Sequence, residues 1–144
     1  MIIHYVTHPH IIAFKFGVIS RKTEMVRKLT KIPRPARLHG HTDKIVTGCG
    51  NLYLTINKLD GKPFELIPNA GKAGDCVKCQ LEAITRCITI GLKYGVPISE
   101  YRDQLRGLSC PKHIFNGGKD GTVLSCPDAI SRILSDINKE IKGE

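Results

Sequence analysis

The segment Gly71–Leu92, GKAGDCVKCQLEAITRCITIGL, holds the residues best suited to chemistry. A glycine-rich loop, Gly71-Lys72-Ala73-Gly74, runs into Asp75 and Cys76. Behind it, Leu81, Ile84, Ile88 and Leu92 recur at spacings of three and four, which predicts a helix with one buried stripe. Asp75 suits its N-cap and Gly95 its C-terminal stop. Such a loop brings backbone N–H groups, a lysine and a thiol to the positive end of a helix, a setting that favours an anion or a thiolate. Neither the Walker spacing nor GxGxxG is present, so the loop is no nucleotide fingerprint by itself, and a tight loop that merely starts a core helix fits it too. Cys76-Val77-Lys78-Cys79 forms one CxxC, but no second pair accompanies it and no βαβ pattern surrounds it, which disfavours a thioredoxin-like role. A redox accessory protein remains a third functional reading. His4, His8 and His10 crowd together with no carboxylate or cysteine close by, and read as surface histidines. His113 lies near Cys110, yet no third group orients a Cys–His dyad, so no hydrolytic or transfer constellation emerges.

The elements that must position these groups follow from patterning. At 144 residues the chain suits one domain with an arm and can bury a core without disulfide staples. No apolar run approaches the ~20 residues of a membrane span. The N-terminus shows no signal-peptide pattern, which predicts a cytoplasmic protein with no membrane partner and with cysteines reduced, metal-bound or packed rather than bridged. The net charge of +9 is uneven: residues 1–44 carry nine Lys and Arg against two acids, and residues 45–144 thirteen against eleven. That basicity suits phosphate-bearing partners or a solvated arm.

Ile2–Val6 and Ile11–Ile19 predict strands, and the basic stretch up to Arg37 an extended connector through Pro33 and Pro35. Residues 41–57 predict strands around a Gly48-Cys49-Gly50 turn, with Leu52, Leu54 and Ile56 alternating inward. Asp60-Gly61 predicts a tight hairpin to a strand over 63–68. A short helix is expected with Ser99 as N-cap and Tyr101, Leu105 and Leu108 as its apolar positions. A last helix opens at Ser125-Cys126-Pro127-Asp128, with Ile130, Ile133, Leu134, Ile137 and Ile141 as its stripe. The fold class is therefore α+β: an antiparallel sheet from residues 2–70 with about three helices over 76–142 packed on one face. The expected organisation is a basic N-terminal extension over 1–40 followed by a domain over 41–144.

Six blocks now stand in order: Thr47-Gly48-Cys49-Gly50-Asn51-Leu52-Tyr53, Gly61-Lys62-Pro63-Phe64-Glu65, Gly71-Lys72-Ala73-Gly74-Asp75-Cys76, Gln80-Leu81-Glu82-Ala83-Ile84, Leu105-Arg106-Gly107-Leu108-Ser109-Cys110 and Leu124-Ser125-Cys126-Pro127-Asp128. Together, over roughly Arg34 to Ile137, they resemble the TSCPD domain, an accessory domain found near the C-terminus of many adenosylcobalamin-dependent ribonucleotide reductases. The threonine of the family name is Leu124 here, residues 1–32 match no part of the family pattern, and 144 residues hold no reductase barrel. The resemblance thus implies a fold and a nucleotide-related ligand class, without reductase activity.

Cys49, Cys76, Cys110 and Cys126 fall on motif positions of that family, whereas Cys79 and Cys87 do not. Four thiols at these positions would suit a tetrahedral zinc site, with zinc the one candidate cofactor; against it, the spacings of 27, 34 and 16 residues lack paired knuckles, and small packed thiols are the plainer reading. A phosphate pocket is the second expectation. The helix starts at Asp75–Cys76 and Cys126–Asp128 would supply N–H groups, with Lys72, Lys119 and Asn51 beside them and the Gly71, Ala73 and Gly74 backbone around them. Asn51, Gln80 and Asp128 would then read a base or ribose; otherwise Asp75 and Asp128 serve only as caps. The leading function is a non-catalytic module binding a nucleotide or nucleotide-derived ligand, either an accessory to a reductase or a scavenger of a signalling nucleotide. The rival is a zinc-stabilised nucleic-acid-binding protein that uses Arg21–Arg37. Self-association into a homo-oligomer is expected if apolar N-terminal strands are exposed.

Overall fold

In the computed structural model, residues 30–72, 75–115 and 121–143 are described. The chain divides after Lys31, and the unit from Ile32 onward carries the fold below. The strands expected over 2–19, the three N-terminal histidines, Ala73, Gly74 and Lys119 lie outside the described residues.

Three antiparallel strands, β1 (His39–Thr47), β2 (Gly50–Leu59) and β3 (Lys62–Asn69), form one sheet in that order. Three helices follow: α1 (Cys76–Lys93), α2 (Ile98–Leu105) and α3 (Cys126–Lys142). The described unit is thus α+β, as its patterning predicts.

Alternation sorts the sheet into two faces. Ile45 of β1, Leu52, Leu54 and Ile56 of β2, and Phe64 and Leu66 of β3 are buried. They meet Leu81, Ile88 and Leu92 of α1, Ile98 of α2, and Ala129, Ile130, Ile133, Leu134 and Ile137 of α3. The opposite face leaves Val46, Tyr53 and Ile67 exposed. Register is pinned by Asp60 (φ 50°) and Gly61 (φ 76°), the left-handed pair that the tight Asp-Gly hairpin needs.

Both long helices run the same way across the sheet. Cys126, the first residue of α3, lies beside Thr47, whereas Glu140 near its far end pairs with Lys58 at 2.9 Å. In α1, Thr89 reaches mid-strand in β3, and Lys93 lies over the Phe64 ring at 5.2 Å. The N-termini of α1 and α3 therefore share the end of the sheet where β1 turns into β2. Thr89 also shields the β3 edge: its Oγ1 accepts from Leu66 N–H at 3.0 Å and donates to Leu66 C=O at 3.5 Å.

Three local expectations are corrected. Helix α2 starts at Ile98 with Pro97 as N-cap, so Ser99 lies inside the first turn. Arg106 (φ −64°, ψ 132°) ends that helix in extended backbone, which leaves Leu108 beyond it and 48% exposed. Ile141, in the last turn of α3, is 47% exposed, and the buried stripe stops at Ile137.

Helix α2 is docked through Tyr101, whose hydroxyl lies where a Gly91 side chain would sit. Burial pushes the Tyr101 hydroxyl above its usual range, and the nearby Cys87 adds to that push. Alanine for glycine in a helix ordinarily stabilises by about 1 kcal/mol. Here the added methyl overlaps Tyr101, so Gly91→Ala is expected to destabilise by about 1–3 kcal/mol in urea unfolding.

Candidate functional site

The end of the sheet that gathers both helix starts also gathers three of the four motif cysteines. The β1–β2 turn puts Cys49 at its tip, and Thr47 just before it organises the surroundings. Thr47 Oγ1 donates to Gly50 C=O at 2.9 Å and accepts from Cys49 N–H at 3.2 Å. The buried Cys126 thiol donates to the same oxygen at 3.5 Å. Cys110 N–H bonds to Leu124 C=O at 3.0 Å, which brings the third thiol alongside. Gly48 has no room for a side chain, because the carbonyl of Lys112 occupies that space.

Burial pushes the Cys126 thiol above the ordinary cysteine range, and the adjacent Cys49 and Cys110 push the same way, against the Thr47 hydrogen bond. The folded protein thus favours the neutral thiol. Cys76 is exposed at the start of α1, with Cys79 and Cys87 exposed further along that helix. Among the described residues, no group of three or more His, Cys, Asp or Glu side chains is arranged to hold a metal ion.

Asp128 lies 3% exposed just behind the thiols, and both of its oxygens accept bonds from the protein itself. Oδ1 accepts from Gly107 N–H at 2.9 Å, and Oδ2 from Leu124 N–H at 3.2 Å and Arg132 Nε at 3.1 Å. Arg132 also donates to Thr122 C=O. Ser125 caps α3 by accepting from Asp128 N–H at 3.1 Å, and its hydroxyl donates to Leu108 C=O at 2.6 Å. Asp128 thus works as an internal clamp.

At the other helix start, Asp75 Oδ1 accepts from Val77 N–H at 3.4 Å, longer than a good N–H···O bond. Asn51, Gly71, Lys72, Cys76 and Gln80 are all exposed at this end of the sheet. Residue patterning did not single out Thr47 or Arg132. The i,i+4 spacing of Asp128 and Arg132 is the one signal that marks the latter.

A small α+β domain with a thiol-lined end, built from residues scattered over six blocks, is the class this geometry defines. The family model of the TSCPD domain matches residues 22–138, and the chain belongs to that family. The match begins upstream of the Arg34 at which the resemblance became readable. The chain is similar to the vitamin B12-dependent ribonucleotide reductase of Bradyrhizobium diazoefficiens, 33% identical over 70 residues, which cover 48% of this chain and 6% of that protein. It is similar also to the enzyme of the same name from Agrobacterium fabrum, 32% identical over 68 residues, covering 46% of this chain and 5% of that protein. The chain thus spans only a small share of the relatives it matches. No solved structure matches it. Among the described residues, no helix is long and apolar enough to cross a membrane.

Two outcomes are expected from these contacts. Asp128→Asn keeps the shape but sets an amide N–H against existing donors, and is expected to cost about 2–3 kcal/mol of stability in urea unfolding. In timed thiol labelling of the native protein, Cys76, Cys79 and Cys87 are expected to react first and Cys126 last, as read by peptide mass mapping.

Proposed function

We propose that the chain is a non-catalytic module that binds a nucleotide or a nucleotide-derived phosphate compound at the thiol-lined end of the sheet. The observation that carries this reading is the common direction of α1 and α3, which puts the positive ends of two helix dipoles at the same end of the sheet. Asp75 holds the α1 amides only loosely, and the exposed Lys72 stands beside them. The α3 start is already capped by Ser125, so the anionic group of the ligand is assigned to the α1 side. Nucleotides are the ligand class because the relatives are named as ribonucleotide reductases. The module would serve a separate reductase as an accessory, or would sequester a signalling nucleotide and release it unchanged on denaturation.

A second reading, a zinc-stabilised nucleic-acid-binding protein, would draw thiolates from the neighbouring Cys49, Cys110 and Cys126, which as they stand are not arranged to hold a metal ion. Native mass spectrometry of the purified protein, followed by a denatured run, separates the two and also counts subunits. The first reading expects a released phosphorylated compound, and the second the mass of one zinc ion per chain. In calorimetric titration with nucleoside mono-, di- and triphosphates, Lys72→Ala is expected to weaken binding about tenfold, roughly 1.4 kcal/mol, with unchanged thermal stability. Absence of binding by every nucleoside phosphate at millimolar concentration would sink the first reading.

A further inference from the structure

The helices cover one face of the sheet, and the strand residues of the other face point away from them. Register places Lys44, Tyr53 and Asn69 in one row across β1, β2 and β3, with Val46 and Asn51 in the adjoining row and Thr42, Thr55 and Ile67 on the other side. Tyr53 is 38% exposed, Val46 46% and Ile67 47%. An open face of this kind either meets a partner or repels one.

Charge narrows the choice of partner. Glu65 is the one carboxylate among the strand residues of this face, and Arg34 neutralises it through Nε and Nη2 contacts of 3.0–3.3 Å. The Arg34 hydrogen bond holds the Glu65 carboxyl below its ordinary range, against the opposing effect of burial. The remaining charge in the rows is Lys44, whose Nζ lies over the Tyr53 ring at 5.8 Å. That contact is long and exposed, and therefore weak, so the lysine can swing to a phosphate while the ring takes a flat partner. Asn51 and Asn69 flank the ring with amides that can donate and accept. Arg34 and Lys44 against the single carboxylate Glu65 leave the described face positive, which opposes stacking a second copy on it and favours a polyanion.

We propose that the open sheet face is a binding surface for single-stranded nucleic acid, with a base stacked on Tyr53, the adjoining phosphate held by Lys44, and the base edge met by Asn51 or Asn69. A flat aromatic beside a cation suits an unpaired base with its phosphate, whereas an acidic peptide would use the cation alone. This proposal does not rest on the anion site at the start of α1.

The test is fluorescence anisotropy of the full chain with a labelled single-stranded oligothymidine of about 12 nucleotides, within the usual site-size range. The expected result is binding that weakens between 50 and 200 mM salt with a slope of about one, as a single phosphate contact at Lys44 requires. Tyr53→Ala is expected to lower affinity about tenfold and Tyr53→Phe to retain it, since stacking needs the ring and not the hydroxyl. Lys44→Ala is expected to reduce the salt slope by about one. Circular dichroism of each variant, matching that of the parent, excludes misfolding as the cause. Tyr53→Ala binding as tightly as the parent protein would overturn the proposal, as would absence of binding at about 100 µM protein in low salt, weaker than the usual non-specific range. A concentration-dependent dimer abolished by Tyr53→Ala would also overturn it, by giving the face to a second copy.

Discussion

The buried carboxylate of Asp128 ties together the part of the fold that has least regular structure of its own. Between the end of α2 and the start of α3 the described chain makes one isolated bridge, Ile114 to Val123. A carboxylate withdrawn from water this far is costly unless its oxygens are filled. Arg132 and two backbone amides fill them, and each brings a different segment: the Gly107 turn, the Leu124 strand piece and the body of α3. Ser125 extends the same knot to Leu108, and Leu124 holds Cys110. The positions of Cys110 and Cys126 beside Cys49 therefore follow from one charge and its donors.

That knot closes against the β1–β2 turn through Thr47. A small buried hydroxyl accepting from one amide and one thiol and donating to one carbonyl satisfies all three without adding charge. Glycine at position 48 is required because the Lys112 carbonyl approaches the backbone there. The turn, the loop after α2 and the start of α3 are thus packed together, and motif residues of three of the six blocks, among them Thr47, Gly48, Gly107, Ser125 and Asp128, make this packing possible. That part of the pattern is explained by architecture before any ligand is invoked.

What could be read from the sequence was local. Alternation at Leu52, Leu54 and Ile56 marks a half-buried strand, Asp60-Gly61 its hairpin, and Ser125-Cys126-Pro127-Asp128 a helix start, because each signal lies within a few consecutive residues. The failures are local too. Ser99 is an apt cap by type, but Pro97 fixes the entry one step earlier. Leu108 fits the helical spacing of α2, but the backbone turns extended at Arg106 before reaching it. The site was less legible. Thr47 and Cys126 are 79 positions apart, and nothing in either neighbourhood announces the other. Asp128 looks alike in sequence whether it caps a helix, meets a ligand or clamps a fold; only its burial and three donors decide.

The thiols illustrate how position decides chemistry. Cys126 has the most neighbours of its own kind, yet burial keeps it protonated, and a protonated thiol is a poor nucleophile. The exposed thiols of α1 are spread along a helix, with no histidine or carboxylate bonded to them among the described residues. Groups that meet solvent with unused donor or stacking capacity are of a different kind: Lys72 beside a loosely capped helix start, and Tyr53 with Lys44 on the open face. Under the readings proposed above, such groups would hold a ligand by charge and surface. Cys126 is folded inward, whereas Lys72, Lys44 and the Tyr53 ring meet solvent, so the contacts a ligand would make are with cations and a flat ring and not with the buried thiol.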